Sequence, residues 1–535
     1  MTEWWRGAVI YQIYPRSFHD ANGDGIGDLP GIVAKLDHVA SLGVDGLWVS
    51  PFFPSPMKDG GYDVADFCGV DPMFGTIEDY DRLVAEAHRR GLKVIIDQVY
   101  SHTSDEHAWF RESRADRTNP KADWYVWAPP KPDGTPPNNW LSVFGGPAWD
   151  WDPRRRQYYF HNFLAEQPDL NVHTVAVQEA ILDAARFWLD RGTDGFRLDV
   201  ANFYMHDLLL RDNPPCAHPD PVKPYRLQVP LYNRSRPETL GFMARLRGLL
   251  DDYPERMAVG EIASRNQIED MVDYTAGPDR LHTAYSFIFL RDAFGARHIR
   301  ETVEAILAAS ADAWPSWAFS NHDVMRVVSR WSDGPPSPAF AKLLIALLGA
   351  LRGTLFLYQG EELGLPQARV PYERLRDPEG IRFWPDYESR DNARTPMPWA
   401  ADREHAGFAA VPGAAEPWLP VEPAHRALAV DRQEADPASV LHFTRRYLAW
   451  RRRHRALIDG SIHFHDTPEP VLAFARRGRD GHILCAFNLG RSHQRVPLPI
   501  SASTRRLDGP GLPGALDGGM VDLPGYGAVF AGLDD

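Results

Sequence analysis

Short apolar runs of strand type alternate with helix-periodic stretches through the first two thirds of this chain, and that rhythm limits what it can fold into. Ala8–Tyr14 is the first such run. The helical pattern Leu36–Leu42 leads to Gly46–Val49, and Ile77–Arg90 leads to Val94–Asp97. Val177–Arg191 leads to the stretch Gly192–Val200, and Thr239–Leu250 leads to Ala258–Glu261. Ala284–Phe287, Trp317–Phe319 and Thr354–Tyr358 bring the series to eight runs. Strands separated by helices do not pair as hairpins, because each helix carries the chain back over the sheet and the next strand lies parallel. Eight such strands are the number that closes into a barrel. The expected fold class is α/β, a (β/α)8 TIM barrel.

Three segments break the rhythm, each directly after a strand. Ser101–Leu170 is rich in Pro, Trp, Asp and Asn and is too long for a simple loop, so it is expected to be a small inserted domain. Phe203–Pro237 follows the fourth strand, and Pro366 to about Pro437 follows the eighth. From about Asp459 helical periodicity disappears, and Val471–Ala475 and His482–Asn488 read as strands of an antiparallel domain. The expected division is a catalytic barrel over residues 1–100 and 171–458, an inserted domain over 101–170, and a C-terminal β domain over 459–535.

A formal net charge of −14 argues against a nucleic-acid or anionic-membrane partner. The three cysteines, Cys68, Cys216 and Cys485, lie far apart in no metal or disulfide spacing, which fits a reducing compartment. Residues 1–6 show no secretory signal, and no apolar stretch reaches the ~18 residues of a membrane span. These features together predict a cytoplasmic protein, monomer or homodimer. Aromatic residues make up 12%, which suits sugar binding as well as a large core.

One loop carries oxygen donors at every second position. Asp20, Asn22, Asp24 and Asp28 supply side-chain oxygens on a glycine-rich turn, and the Ile26 carbonyl adds another. Hard cations need such a set, so calcium is expected here ahead of magnesium. The alternative is an Asx-rich turn holding no ion.

The strand ends hold the chemistry. The third ends in Asp97 with His102 close behind, the fourth in Arg197 and Asp199, the fifth in Glu261, and the seventh in Asn321-His322-Asp323. Alternate residues of a strand share a face, so Arg197 and Asp199 point the same way. Taken alone, that pair reads as a salt bridge inside a barrel. With the other strand ends it becomes part of a set of carboxylates, histidines and an arginine at one barrel mouth, where such folds build active sites. Crowded carboxylates raise one another's pKa, while an arginine keeps its partner ionised. An acid and a nucleophile can then coexist, as glycoside hydrolysis requires.

The motifs are specific enough for a resemblance. Asp97-Gln98-Val99-Tyr100-Ser101-His102, Gly195-Phe196-Arg197-Leu198-Asp199, Gly260-Glu261 and Phe319-Ser320-Asn321-His322-Asp323 stand in order along the chain. Gly61-Tyr62-Asp63, Gln167-Pro168-Asp169-Leu170-Asn171, Tyr358-Gln359-Gly360-Glu361-Glu362 and Arg390-Asp391-Asn392-Ala393-Arg394-Thr395-Pro396 support them. The chain resembles glycoside hydrolase family 13, the α-amylase family, and most of all its α-glucosidase and oligo-1,6-glucosidase branch. The resemblance implies Asp199 as nucleophile, Glu261 as general acid/base, and Asp323 as a ligand of the sugar hydroxyls. It implies that Asp63, His102, His322 and Arg394 hold the glucose, that Arg197 positions Asp199, and that Tyr62 stacks on the sugar. The loop at Asp20 matches the calcium loop of this branch, and no organic cofactor is implied. The partners implied are small α-glucosides and hydroxyl acceptors.

Two features depart from the pattern or divide it. Ser101 stands where asparagine is common, and altered orientation of the third strand end is expected. The Gln167–Asn171 motif and Val200 point to α-1,6 linkages, whereas the insertion with Asn202–Asp207 resembles enzymes of short α-1,4 substrates that transfer glucose readily. The expectation is a maltose-like α-1,4 substrate in a pocket walled by the three insertions. Phe163, Phe203 and Tyr204 are candidates for an apolar acceptor wall, with loop packing as the alternative. Sucrose isomerases and trehalose synthases share the catalytic set, but their charged loop has only a partial echo in Tyr372–Asp377. Catalytically dead transporter subunits of the family have a membrane helix and lack the carboxylates, unlike this chain.

Overall fold

The computed structural model describes residues 3–310, 313–498, 504–508 and 511–533. Eight parallel strands close on themselves: Val9–Ile13, Gly46–Val49, Lys93–Gln98, Gly195–Leu198, Met257–Ile262, Thr283–Ser286, Pro315–Ala318 and Thr354–Tyr358. They are numbered first to eighth here in that order. The ring closes where Val9 of the first strand lies opposite Leu355 of the eighth. The seventh strand begins two residues earlier than its apolar pattern suggests, at Pro315, a position where a missing N–H is tolerated.

Because helices cover the outside, each strand is buried on both faces. Ile10, Trp48, Ile95, Val259, Tyr285, Ala318 and Phe356 fill the interior. Tyr11, Leu47, Ile96, Phe196 and Leu355 face outward and pack with helix residues such as Leu36, Leu83, Ile181 and Leu344. The helix Ile77–Arg89 illustrates the local logic. Thr76 and Asp79 form a capping box at its start, and Tyr80, Leu83, Val84 and Ala87 make its buried stripe. Two residues after each inward apolar side chain the strand-end polar groups begin. Ile95 is followed by Asp97, and Val259 by Glu261, so the polar ends share the interior face.

The segment after the third strand contains a small antiparallel sheet of Trp127–Ala128, Trp149–Asp152 and Gln157–Phe160 over a core of Trp140, Trp149 and Phe160. The insertion after the fourth strand has little regular structure and is fastened to that sheet domain. Trp140 Nε1 donates to the Arg211 carbonyl at 2.9 Å, and Asn233 Nδ2 donates to Asn162 Oδ1 at 3.1 Å. Beyond helix Arg455–Asp459, two antiparallel sheets enclose Val471, Ala473, Leu484, Val521 and Val529. The larger sheet turns its other face to the barrel, where Phe530 meets Tyr447 and Trp450. Among the described residues no helix is long and apolar enough to cross a membrane.

Candidate active site

One buried guanidinium joins three strand ends. Arg197 Nη1 donates to Asp97 Oδ1 at 2.7 Å and to Asp199 Oδ1 at 2.6 Å, while Nη2 meets Glu261 Oε1 at 2.5 Å. Strand register brings this about, since Asp97 lies opposite Arg197 and Leu198 lies opposite Gly260. Burial raises Asp199 well above the usual Asp range, with Glu261 and Asp97 adding to it against Arg197. Burial likewise raises Glu261, with Asp323 and Asp97 adding to it against Arg197. One positive charge cannot neutralise three carboxylates, which favours keeping a proton within the cluster.

Val200 completes this corner. Its backbone lies in the left-handed region at φ 35°, a strained setting for a β-branched residue that costs about 1–3 kcal/mol. That turn aims the Val200 N–H at Glu261 Oε2, 2.8 Å away. The strain thus sits where it orients a carboxylate.

His322 lies between two stacked rings, Tyr14 at 5.6 Å and Tyr62 at 5.5 Å between centroids. Gln12 Nε2 bonds its Nδ1 at 2.8 Å, and Nε2 meets the Tyr62 hydroxyl at 2.7 Å. Tyr62 in turn donates to Asp97 Oδ2 at 3.1 Å. Burial lowers His322 to about 3 and His102 to about 4, so both are neutral near pH 7. Ser101 Oγ meets His102 Nδ1 at 2.8 Å, and Gln167 Nε2 lies 3.1 Å from its Nε2. A serine at this position therefore fixes the imidazole directly.

Asp323 accepts from Arg394 Nη2 at 2.8 Å and from Arg390 Nη1 at 3.4 Å. Burial pushes its pKa up, but the surrounding positive charges outweigh it and hold the carboxylate below the ordinary range. His322, with Nε2 3.3 Å from Asp323 Oδ2, is the largest of these influences, followed by Arg394 and Arg390; near pH 7, where His322 is uncharged, the two arginines remain. Arg390 borders the cavity and is itself clamped by Asp377, whose Oδ1 accepts from Nη2 at 2.7 Å.

The structure separates two residues that the motifs group together. Asp63 does not face the cavity: its Oδ1 accepts from Ser55 Oγ at 2.9 Å and its Oδ2 from Lys58 N at 2.8 Å. It folds the turn that presents Asp59, which does border the cavity and accepts from Arg390 Nη2 at 2.9 Å. Asp59 corrects the expectation placed on Asp63, and its signal was a second aspartate four positions upstream. Arg394 likewise stands behind Asp323, bonding the His322 carbonyl at 2.7 Å, while Arg390 of the same motif reaches the cavity.

The cavity measures about 1320 Å³, and all three insertions contribute to its wall. Phe163 and Phe203 stack at 5.6 Å with rings 18° apart, and Phe144 packs edge-on to Phe163. Tyr204 instead packs against Phe242, away from the lining. Asp199, Glu261, Asp323, Tyr62 and His102 lie at the same cavity.

This arrangement of strand-end carboxylates around one arginine has close counterparts. Residues 12–460 match the model of the alpha amylase catalytic domain. The chain belongs to the α-amylase family. A probable alpha-glucosidase of Rhizobium meliloti (strain 1021) is 52% identical over 541 residues, covering 99% of this chain and 97% of its own. An oligo-1,6-glucosidase of Heyndrickxia coagulans is 38% identical, covering 92% of this chain and 93% of its own. Among solved structures, an alpha-glucosyl transfer enzyme superposes with a TM-score of 0.97 at 54% identity, covering 100% of both chains. The trehalulose synthase of Pseudomonas mesoacidophila superposes with a TM-score of 0.88 at 32% identity, again over 100% of both chains. As an α-amylase family member, the chain is a glycoside hydrolase of the α-glucosidase kind.

The loop expected to bind metal lies apart from the cavity. Asp20 accepts from Gly23 N at 2.6 Å and Gly25 N at 2.9 Å; Asn22 accepts from Asp24 N and Asp24 from Ile26 N, each at 2.9 Å. Asp28 accepts from Gly31 N at 2.6 Å and caps the following helix. Burial raises Asp28 to about 6, and Asp20 and Asp24 add to this. The donors suit a hard cation in type and charge. Their side chains, however, turn to the loop's own N–H groups, and no group of three His, Cys, Asp or Glu is placed to share a metal among the described residues.

Proposed function

We propose that the protein is a retaining α-glucosidase that releases or transfers α-glucose from the non-reducing end of short α-glucosides. The observation that carries this is the pairing of Asp199 and Glu261 on one arginine. Their strands are neighbours with Leu198 opposite Gly260, and adjacent strands lie ~4.8 Å apart. Side chains on the same face at that spacing match the ~5–5.5 Å of a retaining pair rather than the wider gap of an inverting one. Asp199 attacks the anomeric carbon while Glu261 protonates the leaving oxygen, giving a β-linked glucosyl ester. Glu261 then takes the proton of water or of an acceptor hydroxyl, and the second inversion leaves an α product. Asp323, kept ionised by Arg390 and Arg394, accepts hydrogen bonds from the sugar hydroxyls. Asp59, Arg390 and His102 hold the same ring, and Tyr62, positioned from behind by His322, lies against its apolar face.

Maltose-like α-1,4 glucosides are the favoured substrates, with Phe144, Phe163 and Phe203 forming an apolar wall for the aglycone or acceptor. Val200 and the relative named oligo-1,6-glucosidase favour a second reading, isomaltose-type linkages. Product analysis with maltose, isomaltose, sucrose and trehalose, each with and without an alcohol, separates these. Glucose and an alkyl α-glucoside from maltose support the first reading. A much higher rate on isomaltose supports the second, and conversion of sucrose to an isomer would point to the trehalulose synthase relatives.

The pH profile of kcat/KM should be bell-shaped, with both limbs set by the carboxylate pair. Activity is lost below the pKa of the group that must be ionised and above that of the group that must be protonated. Both are raised, so both limbs should lie above the ordinary carboxylate range. His102 and His322, neutral from well below pH 6, should add no limb near 6.5. A His322→Asn variant should therefore be slower with unmoved limbs; a limb that disappears in that variant would assign it to the histidine instead.

Calcium at the Asp20–Asp28 loop is a further part of this reading, with Asp20, Asn22, Asp24, the Ile26 carbonyl and Asp28 as its holders. A bound cation would relieve the mutual repulsion of the three carboxylates and stabilise the fold by about 2.7 kcal/mol at a hundredfold excess over Kd. Tm should rise with calcium and fall with chelator, and the response should vanish in Asp24→Asn. An identical Tm in both media would mark the loop as an Asx turn alone.

A further inference from the structure

Beyond the two phenylalanines the cavity is lined by a group of arginines that includes Arg226, Arg234, Arg265 and Arg291, although the molecule as a whole carries a net charge of −14. Aromatic faces lead there from the sugar site. His102 lies 5.2 Å from Phe163, Phe163 stacks on Phe203, and the Arg234 guanidinium lies over Phe203 at 4.8 Å. Tyr225 flanks Arg234 at 6.0 Å. Arg234 borders the cavity, and its guanidinium has no hydrogen bond or ion pair with any described residue.

The neighbouring charges make that isolation more costly. The charged groups acting on Arg234 are Arg226 and Arg265, both repulsive, and Arg226 also repels Arg291. Three other cations of this region are already satisfied, while Arg291, which also borders the cavity, has no side-chain hydrogen bond or ion pair with any described residue. Lys223 pairs with Glu379 at 2.6 Å, and Arg226 with Asp220 at 2.7 Å. Arg330 is spent on the backbone carbonyls of Phe289, Arg291, Met325 and Phe319. Glu269, Asp292 and Glu388 also border the cavity, but none of them forms an ion pair or hydrogen bond with Arg234 or Arg291 among the described residues. Burial lowers Arg234 to about 10, so it remains charged at neutral pH. A half-buried cation facing other cations is favourable ground for a ligand that supplies the counter-charge. A guanidinium stacked on an aromatic face keeps its N–H edges free for a planar or tetrahedral anion.

We propose that the acceptor subsite takes an anionic hydroxyl compound, one whose carboxylate or phosphate rests on Arg234 while its hydroxyl reaches the glucosyl centre past Phe163 and Phe203. This rests on the glucosyl-transfer reading above. In the transfer step the ester bond between glucose C1 and Asp199 breaks with its electron pair returning to the carboxylate. The acceptor oxygen bonds C1, and its proton passes to Glu261. The anion itself takes no part in the chemistry; Arg234 sets which acceptor competes with water.

Matched acceptors test this, with maltose as donor: benzene-1,4-dimethanol, 4-(hydroxymethyl)benzoate, and the corresponding 4-(hydroxymethyl)phenyl phosphate. All three present a benzylic hydroxyl across a ring that fits the aromatic wall; they differ in the group at the far end, which in the diol is a second hydroxyl whose twofold statistical advantage is divided out. At low ionic strength the ratio of transfer to hydrolysis should be about tenfold higher for at least one of the two anions than for the neutral diol. Salt should erode the difference. In Arg234→Gln the anion and the diol should be used about equally, and Arg234→Lys should restore part of the preference. Each ratio is measured within one enzyme sample, so partial loss of folded protein does not change it. Equal use of the diol and both anions by the unmodified enzyme, or a preference that survives in Arg234→Gln, overturns the proposal. Absence of any glucose release or transfer from maltose would overturn the glucosidase reading instead.

Discussion

Replacing Asp199 by asparagine should lower turnover on maltose by at least about four orders of magnitude, because an amide oxygen cannot form the glucosyl ester. The substitution preserves shape. Arg197 keeps its bonds to Asp97 and Glu261, so the strand ends should remain in place and the purified variant should unfold near the temperature of the parent. The comparison needs turnover and thermal unfolding on the same preparation. A folded variant with near-normal turnover would remove Asp199 from the nucleophile role. Loss of activity together with collapse of the fold would instead show that the cluster needs a second ionised partner for its guanidinium.

Glu261→Gln should separate the two halves of the reaction. With maltose the leaving group is a sugar alkoxide that must be protonated, so the rate should fall by about three orders of magnitude. An aryl α-glucoside with an acidic phenol leaves without help, and its first step should be largely spared. The glucosyl enzyme would then accumulate, since no base remains to activate water, and a burst of phenol should precede slow turnover. Azide, which needs no base, should restore turnover and give the α-glucosyl azide. The glutamine carbonyl can replace only one of the two carboxylate oxygens that now meet the Val200 N–H and Arg197 Nη2, so thermal unfolding is measured on the same preparation. Equal loss on both substrates would mean that Glu261 is not the acid.

The barrel and the identity of the strand-end carboxylates are legible in the sequence because both depend on local rules. A strand and a helix have different apolar periods, and a polar residue two places beyond an inward apolar one must share its face. The chain therefore announced Asp97, Asp199 and Glu261 as neighbours through periodicity alone. Ser101 was expected to disturb its strand end, yet its hydroxyl meets the His102 ring directly, a contact that depends on side-chain placement.

Asp59 and Asp63 show the limit of such reading. Both lie in one short turn, both are aspartates, and both are buried. Which of them faces the sugar depends on which pair of oxygens the turn consumes, and Ser55 and Lys58 take those of Asp63. Arg390 and Arg394 divide in the same way, one clamped by Asp377 at the cavity and the other packed behind Asp323.

By itself, then, the sequence determined the closed barrel, the three insertions and the carboxylates at the mouth, since periodicity and residue type suffice for those. Only the tertiary structure decided which member of each polar pair reaches the cavity, that Val200 is strained toward Glu261, and that Arg234 has no counter-ion among the described residues. Those outcomes depend on groups distant in the chain competing for the same hydrogen bonds and charges, and such competition is resolved only when the chain is folded.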